Sequence, residues 1–273
     1  LPVAIPGVAM GMTLYHNRKV GEVKSLRRGK AYPDNFRPNN RLRLIKMILQ
    51  IETATKSCSV ALSHHGRLLA FKELNERNIH AEAITLFIED VFTATGKKYA
   101  DLDAVAVSCG PGSYTGLRIG VSTAKGLCFA LDKPLIAIET LQAMADGMLL
   151  RKKAELPDNA LFCPMIDARR MEVFTAVFDH EGNRVQATEA LIVDENSFSD
   201  LLKYHQIIFF GDGAEKCQST LTHPNALFVT GFVNSATYLS KLAQIKFNNK
   251  EFEDIAYFEP YYLKDFIAGT KQV

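Results

Sequence analysis

The chain has 273 residues, 47% of them hydrophobic and 23% charged, with a formal net charge of +2. That length supports one large or two small domains with a sizeable core, and no apolar run reaches the ~18 residues that a membrane span needs. Five cysteines, Cys58, Cys109, Cys128, Cys163 and Cys217, form no CxxC pair and sit in apolar surroundings, which reads as reduced core thiols of a cytoplasmic protein rather than a zinc site or a disulfide frame.

Residues 1–46 stand apart. They hold ten Lys/Arg against Glu22 and Asp34, a local charge of +8 that leaves −6 for residues 47–273. With four prolines and no sustained period, the segment reads as non-native or disordered sequence ahead of a start at Met47; a nucleic-acid-binding arm and a transit peptide are the alternatives. The acidic remainder argues against broad direct RNA binding by the folded part.

From Met47 the pattern is regular. "MILQIET" (47–53), "SCSVALS" (57–63) and "RLLAFKEL" (67–74) are β-prone runs joined by short turns, an antiparallel meander. Residues 79–95 read as a helix ended by Gly96, "DAVAVSC" (103–109) as a buried strand, 115–131 as a helix, "PLIAIE" (134–139) as a strand and 140–151 as a helix. Residues 152–159 are polar and suit a linker. "IDARRMEVFTAV" then repeats the logic of "IETATKSCSVAL": a buried strand, an acid (Glu52, Asp167), a short polar turn and a second strand, the acids 115 residues apart. A helix over 195–204, a strand over 206–211, a helix entered by "DGAEK" and a helix over 233–247 complete the prediction. Two related α/β lobes of βββαβα type follow, 47–151 and 152–273, with a cleft between them.

Four stretches, "QIETATKSCSVAL", "GPGSYTGLRIGVSTAKGL", "IDARRMEVFTAVF" and "EPYYLKDF", together resemble the bacterial TsaB (YeaZ) family, in the family's order and across nearly the whole chain after Met47. The resemblance implies a duplicated actin/Hsp70/sugar-kinase-like fold. It implies a non-catalytic accessory role in forming threonylcarbamoyladenosine at position 37 of tRNAs that read ANN codons. It implies support of a catalytic paralogue, TsaD, together with a small ATPase, TsaE, so that tRNA is met through the complex. Two positions depart from the family pattern: Glu52 stands where Asp is usual, and Met171 where glycine is usual.

Catalytic readings stand or fall on particular residues. "GPGSYTGLR" lacks the lysine of a phosphate-binding P-loop and does not place Ser113 in a GxSxG elbow. By resemblance to the catalytic paralogue, Thr140 and Met144 fall where that protein carries an HxxxH metal pair, and neither suits a hard divalent ion. His64 and His65 sit together in a turn, where solvated residues are a better reading than metal ligands. Glu52 and Asp167 are the residues that would face ATP or ADP with Mg²⁺ across a cleft of this fold; caps of their own turns are the plainer reading. Gly110, Gly112, Ser113 and Gly116 form a corner into a helix, with Ser113 or Thr115 as its cap, in preference to an anion cradle.

The helices carry surplus apolar surface. Ala83, Phe87, Val91 and Ala94 make one stripe of 79–95, Ile84, Ile88, Val91 and Phe92 make a second, and Leu86 lies outside both; a helix buried on both sides within its own lobe is the alternative to an exposed association face. Gly116, Gly120, Thr123 and Leu127 make a small-residue side of 115–131. Family members are implied to pair through these helices, as a homodimer or with the catalytic paralogue, which makes Phe87 and Val91 the expected interface anchors. An ATP-dependent small-molecule kinase of the same fold and a metalloprotease-like protein are the rival functions; the latter lacks HExxH.

Overall fold

Every residue of Met47–Glu52 (β1) is buried, so this strand can sit only at the centre of a sheet covered on both faces. It pairs antiparallel with Ser57–His64 (β2), which pairs antiparallel with Arg67–Asn75 (β3). On its other side it pairs parallel with Ala104–Gly110 (β4), followed by Leu135–Glu139 (β5). The sheet order is β3-β2-β1-β4-β5. His80–Thr95 (α1) precedes β4, Tyr114–Leu131 (α2) joins β4 to β5, and Thr140–Lys152 (α3) follows. The computed structural model describes residues 46–76, 79–152 and 159–264, all within the unit that runs from Arg43 to Val273. The basic segment up to residue 45 and most of the polar stretch 152–159 lie outside the described residues.

The second sheet repeats the first. Leu161–Asp167 (β6), Glu172–Phe178 (β7), Arg184–Ile192 (β8), Ile207–Phe210 (β9) and Ala226–Val229 (β10) are ordered β8-β7-β6-β9-β10. β6–β7 and β7–β8 are antiparallel, β6–β9 and β9–β10 parallel, strand for strand as in the first sheet. This is the duplicated actin/Hsp70/sugar-kinase-like α/β fold.

Three apolar clusters hold it. α1 and α2 cover one face of the first sheet, packing Ile84, Phe87, Val91 and Val121 on Leu49, Ile51 and Val105. A second cluster lies on the outer face of the second sheet, around Cys163, Val173 and Phe209. The largest lies between the sheets: Ile48, Ala104 and Ile138 from one, Phe162, Phe178 and Phe210 from the other, with α3 and Leu239–Asn249 (α5) packed among them. α3 is buried almost all round, and its Asp146 is paired with Lys241 at 2.6 Å.

Four local expectations needed correction. The third strand that a βββαβα lobe requires was given no range, and it is β8, a largely exposed edge strand; β10, of four residues, was not expected. The helix expected over 195–204 is one turn, Ser199–Leu202 (α4), because Asp194 ties Asn196 N and Ser197 Oγ into a turn and Phe198 takes a φ of 62°. "DGAEK" enters only a 3₁₀ turn, Glu215–Cys217. In the last segment a 3₁₀ turn over Ala236–Tyr238 leads into α5, which runs to Asn249.

Candidate functional site

β4 ends at Gly110, whose φ of 124° suits only glycine, and the Tyr261 carbonyl occupies the place of a Cβ there. Gly112 stands against Ala54, Gly116 against the Thr53 carbonyl and Gly120 against the Thr53 side chain. Thr53 Oγ1 also donates to Gly116 O at 2.8 Å. The glycine spacing therefore lets α2 lie directly on the β1–β2 loop. Ser113 is the N-cap, accepting from Gly116 N at 3.3 Å, while its own N–H donates to Ala54 O at 2.6 Å. The C-terminal segment lies over the corner: Tyr261 N donates to Cys109 O at 2.7 Å, and the Tyr262 ring stacks on Tyr114 at 4.6 Å. The Ser113 and Gly116 amides are both used by the chain itself in forming this corner.

The two acids sit in opposite surroundings. Glu52 is fully buried and accepts from Ala54 N at 2.6 Å. Burial pushes its carboxyl up to about 7, against the opposing pull of the Ala54 amide and Ser108. Asp167 is exposed at the end of β6 and holds Lys216 Nζ and Arg169 N. Partial burial resists its ionisation, but the Lys216 ammonium and the Arg169 amide outweigh that and hold its carboxyl below the usual range. Asp212, which the sequence did not single out, accepts from Asp167 N at 3.1 Å; it keeps contact with solvent, yet surrounding atoms push its carboxyl up, with Lys56 among the groups opposing. Lys56 and Asp212 share a cavity of about 100 Å³ with Thr55, Asn75, Phe232, Val233 and Asn234. Nucleotide-sized ligands take roughly 300 Å³ or more. A small cavity, an acid sealed in the core and an acid neutralised by lysine do not fit Mg²⁺ with ATP or ADP, so no kinase step is drawn through these residues.

Thr140 and Met144, matched to the metal pair of the catalytic paralogue, are both buried. Thr140 Oγ1 lies 3.1 Å from Ser108 Oγ, and Met144 belongs to the core between the sheets. The His64 and His65 rings meet edge-on at 4.7 Å, and among the described residues no three His, Cys, Asp or Glu side chains converge as metal ligands. All five cysteines are free and buried.

The expected interface anchors are core. Phe87 is 8% exposed and Val91 1%, both packed on the first sheet, and Lys72, paired with Asp90, covers the Phe87 ring. α1 covers β2 and β3 and leans on α2, which buries Ile84, Phe87, Ile88, Val91 and Phe92 and leaves Ala94 exposed. Ala83, Thr123 and Leu127 are half-buried, and Gly116 and Gly120 face Thr53 rather than a partner. The large apolar side chains that these helices do expose are Leu86, at 59%, and Phe129, at 84%.

Residues 73–265 match the family model described as TsaD: tRNA N6-adenosine threonylcarbamoyltransferase. The tRNA threonylcarbamoyladenosine biosynthesis protein TsaB of Haemophilus influenzae is 30% identical over 232 residues, 82% of this chain and 96% of that protein. TsaB of Escherichia coli is 37% identical over 151 residues, 54% of this chain and 63% of that protein. A tRNA N6-adenosine threonylcarbamoyltransferase of Bacillus subtilis is 49% identical over a shorter stretch of 59 residues, 17% of that enzyme. The structure of YeaZ from Pseudomonas aeruginosa superposes with a TM-score of 0.69 at 26% identity, covering 80% of this chain and all of that one. No helix among the described residues is long and apolar enough to cross a membrane. The match runs almost end to end along a TsaB sequence and along a YeaZ structure, but only over a fraction of the transferase, so the chain belongs to the TsaB (YeaZ) family.

Proposed function

We propose that the chain is a non-catalytic subunit in the formation of N6-threonylcarbamoyladenosine at position 37 of ANN-decoding tRNAs, acting in the cytoplasm. Its partners are a TsaD-like transferase and a TsaE-like ATPase, and it self-pairs when alone. The carrying observation is the 30% identity across 96% of a protein named for this biosynthesis. The geometry supports an accessory role rather than a chemical one: Thr140 and Met144, where the transferase keeps metal ligands, are buried core residues. The outer faces of α1 and α2, with Leu86 and Phe129 exposed, offer the apolar contact for a partner.

Reconstitution tests this. The chain is combined with its organism's transferase paralogue, the ATPase, threonine, bicarbonate, ATP and tRNA, and the modified nucleoside is measured by mass spectrometry. Product is expected only when the chain is present, and none from the chain alone. Equal product without the chain overturns the proposal.

A further inference from the structure

We infer that the surface formed by Tyr114, Arg118, Tyr262 and the Arg169–Arg170 turn binds an unpaired RNA loop directly, so that this chain holds part of the substrate tRNA itself. The inference rests on the tRNA-modification reading above and adds a direct contact to it.

Its centre is a preformed stack. The Arg118 guanidinium lies 4.4 Å from the centre of the Tyr114 ring, and its Nε donates to Tyr262 Oη at 3.3 Å. Tyr262 in turn stacks on Tyr114 at 4.6 Å. Arg118 is nevertheless exposed. A planar cation fixed from below and from the side has little freedom left to lose on binding. Unstacked bases in RNA loops dock on such guanidinium and aromatic planes, whereas paired bases do not offer their faces.

The segment that carries Tyr262 leads on to a pair of arginines suited to phosphate. Lys264, two residues beyond Tyr262, bonds Glu172 Oε2 at 2.6 Å, and Glu172 N closes the turn on Arg169 O at 3.0 Å. That turn holds Arg169 and Arg170 in succession at φ of 74° and 47°, a conformation that glycine or asparagine adopts with less strain. Both side chains are exposed, and neither guanidinium is paired among the described residues. The nearby carboxylates of Asp167 and Glu172 are engaged by Lys216 and Lys264, so the two arginines remain uncompensated on an otherwise acidic body. Free guanidinium groups tied to a stacking plane through the Tyr262–Lys264 segment and Glu172 match the alternating phosphates and bases of a single strand.

The probe is an anticodon stem-loop RNA carrying 4-thiouridine in the loop, with a fully paired hairpin of equal length as the comparison, binding to the full chain read by fluorescence anisotropy. The stem-loop is expected to bind more tightly than the paired hairpin, and photo-crosslinks are expected on the segments 114–118 and 257–264. Arg118→Ala and Tyr262→Ala should each weaken stem-loop binding by about tenfold. Arg118→Lys, which keeps the charge and loses the plane, should stay weakened. Removing Arg169 and Arg170 together should make the logarithmic salt dependence shallower by about 1.4, two phosphate contacts on a single strand. Should Tyr262→Ala lower the thermal midpoint, the exposed Arg118 and Arg169/Arg170 variants carry the test alone. Crosslinks confined to residues 1–46, variants that bind like the wild type, or protection of this surface by the transferase paralogue without RNA would each overturn the inference. The reconstituted modification assay, run on the same wild-type preparation, reports on the function separately: product with wild type together with unchanged RNA binding in the variants removes the RNA surface and leaves the function standing.

Discussion

Glu52 has a carboxyl in a place that disfavours its charge. The ordinary value is 4.5, and burial raises it to about 7 in the folded chain. Between those values the unfolded chain has released its proton while the folded chain keeps it. Stability conferred at this position therefore falls as pH rises from about 4.5 to about 7 and is level above that. The size is of order 3 kcal/mol, since each tenfold change in acidity is worth about 1.4 kcal/mol. Glu52→Gln keeps an acceptor for Ala54 N and cannot titrate. Urea unfolding across pH should show the variant gaining on the wild type from about pH 4.5 upward, by up to ~3 kcal/mol at about pH 8; a gap that does not change with pH would show that the carboxyl is not the cause. Gly116 is as specific in steric terms. A methyl group there would meet the Thr53 carbonyl, which is backbone and cannot swing away, so Gly116→Ala should cost about 1–3 kcal/mol in the same assay. The glycines were legible in the sequence as a corner because their spacing interrupts a buried strand and a helix. That they serve contact with Thr53 was not, because that contact joins positions sixty-three residues apart.

α1 and α2 show what periodicity reads and what it misses. Two apolar stripes on one helix are visible in sequence, but the number of surfaces available to cover them is not. The structure supplies both β2/β3 and α2, which leaves Leu86 and Phe129 as the exposed large apolar side chains of α1 and α2. Strands were readable where alternation or full burial marked them, as in β1, β2, β4 and β6. β8 followed from the repeated lobe pattern but could not be located, because an exposed edge strand carries polar residues on both faces, and β10 was too short to show a period. The consequence is a clean contrast. Phe87→Asp should unfold the chain, losing roughly 3–5 kcal/mol from the ring alone and more from a buried charge. Leu86→Asp and Phe129→Asp should melt like the wild type but lose the partner. Circular dichroism melts with size-exclusion chromatography against the transferase paralogue separate the two cases, and retention of binding by both exposed-site variants would move the partner to another face.

At the scale of the molecule the two sheets share a core, and the chain's end binds them once more. The duplication was legible from the two acids and their turns; the shared core was not, since it joins residues such as Ile48 and Phe210 that no local pattern relates. From the end of α5 the chain pairs Glu253 N with Leu135 O at 2.9 Å, packs Ile255 and Phe258 on the α1/α2 core, and then crosses the glycine corner through Tyr261 and Tyr262 to reach Glu172 of the second sheet through Lys264. A chain ending at Phe258 keeps its three cores and its Lys125 to Phe258 O contact of 2.9 Å, but loses everything that lies on the corner. One backbone hydrogen bond, the Arg118–Tyr262 hydrogen bond, one ring pair and one exposed ion pair amount to about 3 kcal/mol, or ~9 °C in the midpoint for a domain of this size. The loss should be local in hydrogen exchange: amides of residues 110–117 should exchange faster, while those of β1 and α3, in the shared core, should keep their protection. Uniform loss of protection would mean that the C-terminal segment stabilises the whole fold, and unchanged exchange at 110–117 would mean that the corner stands without it.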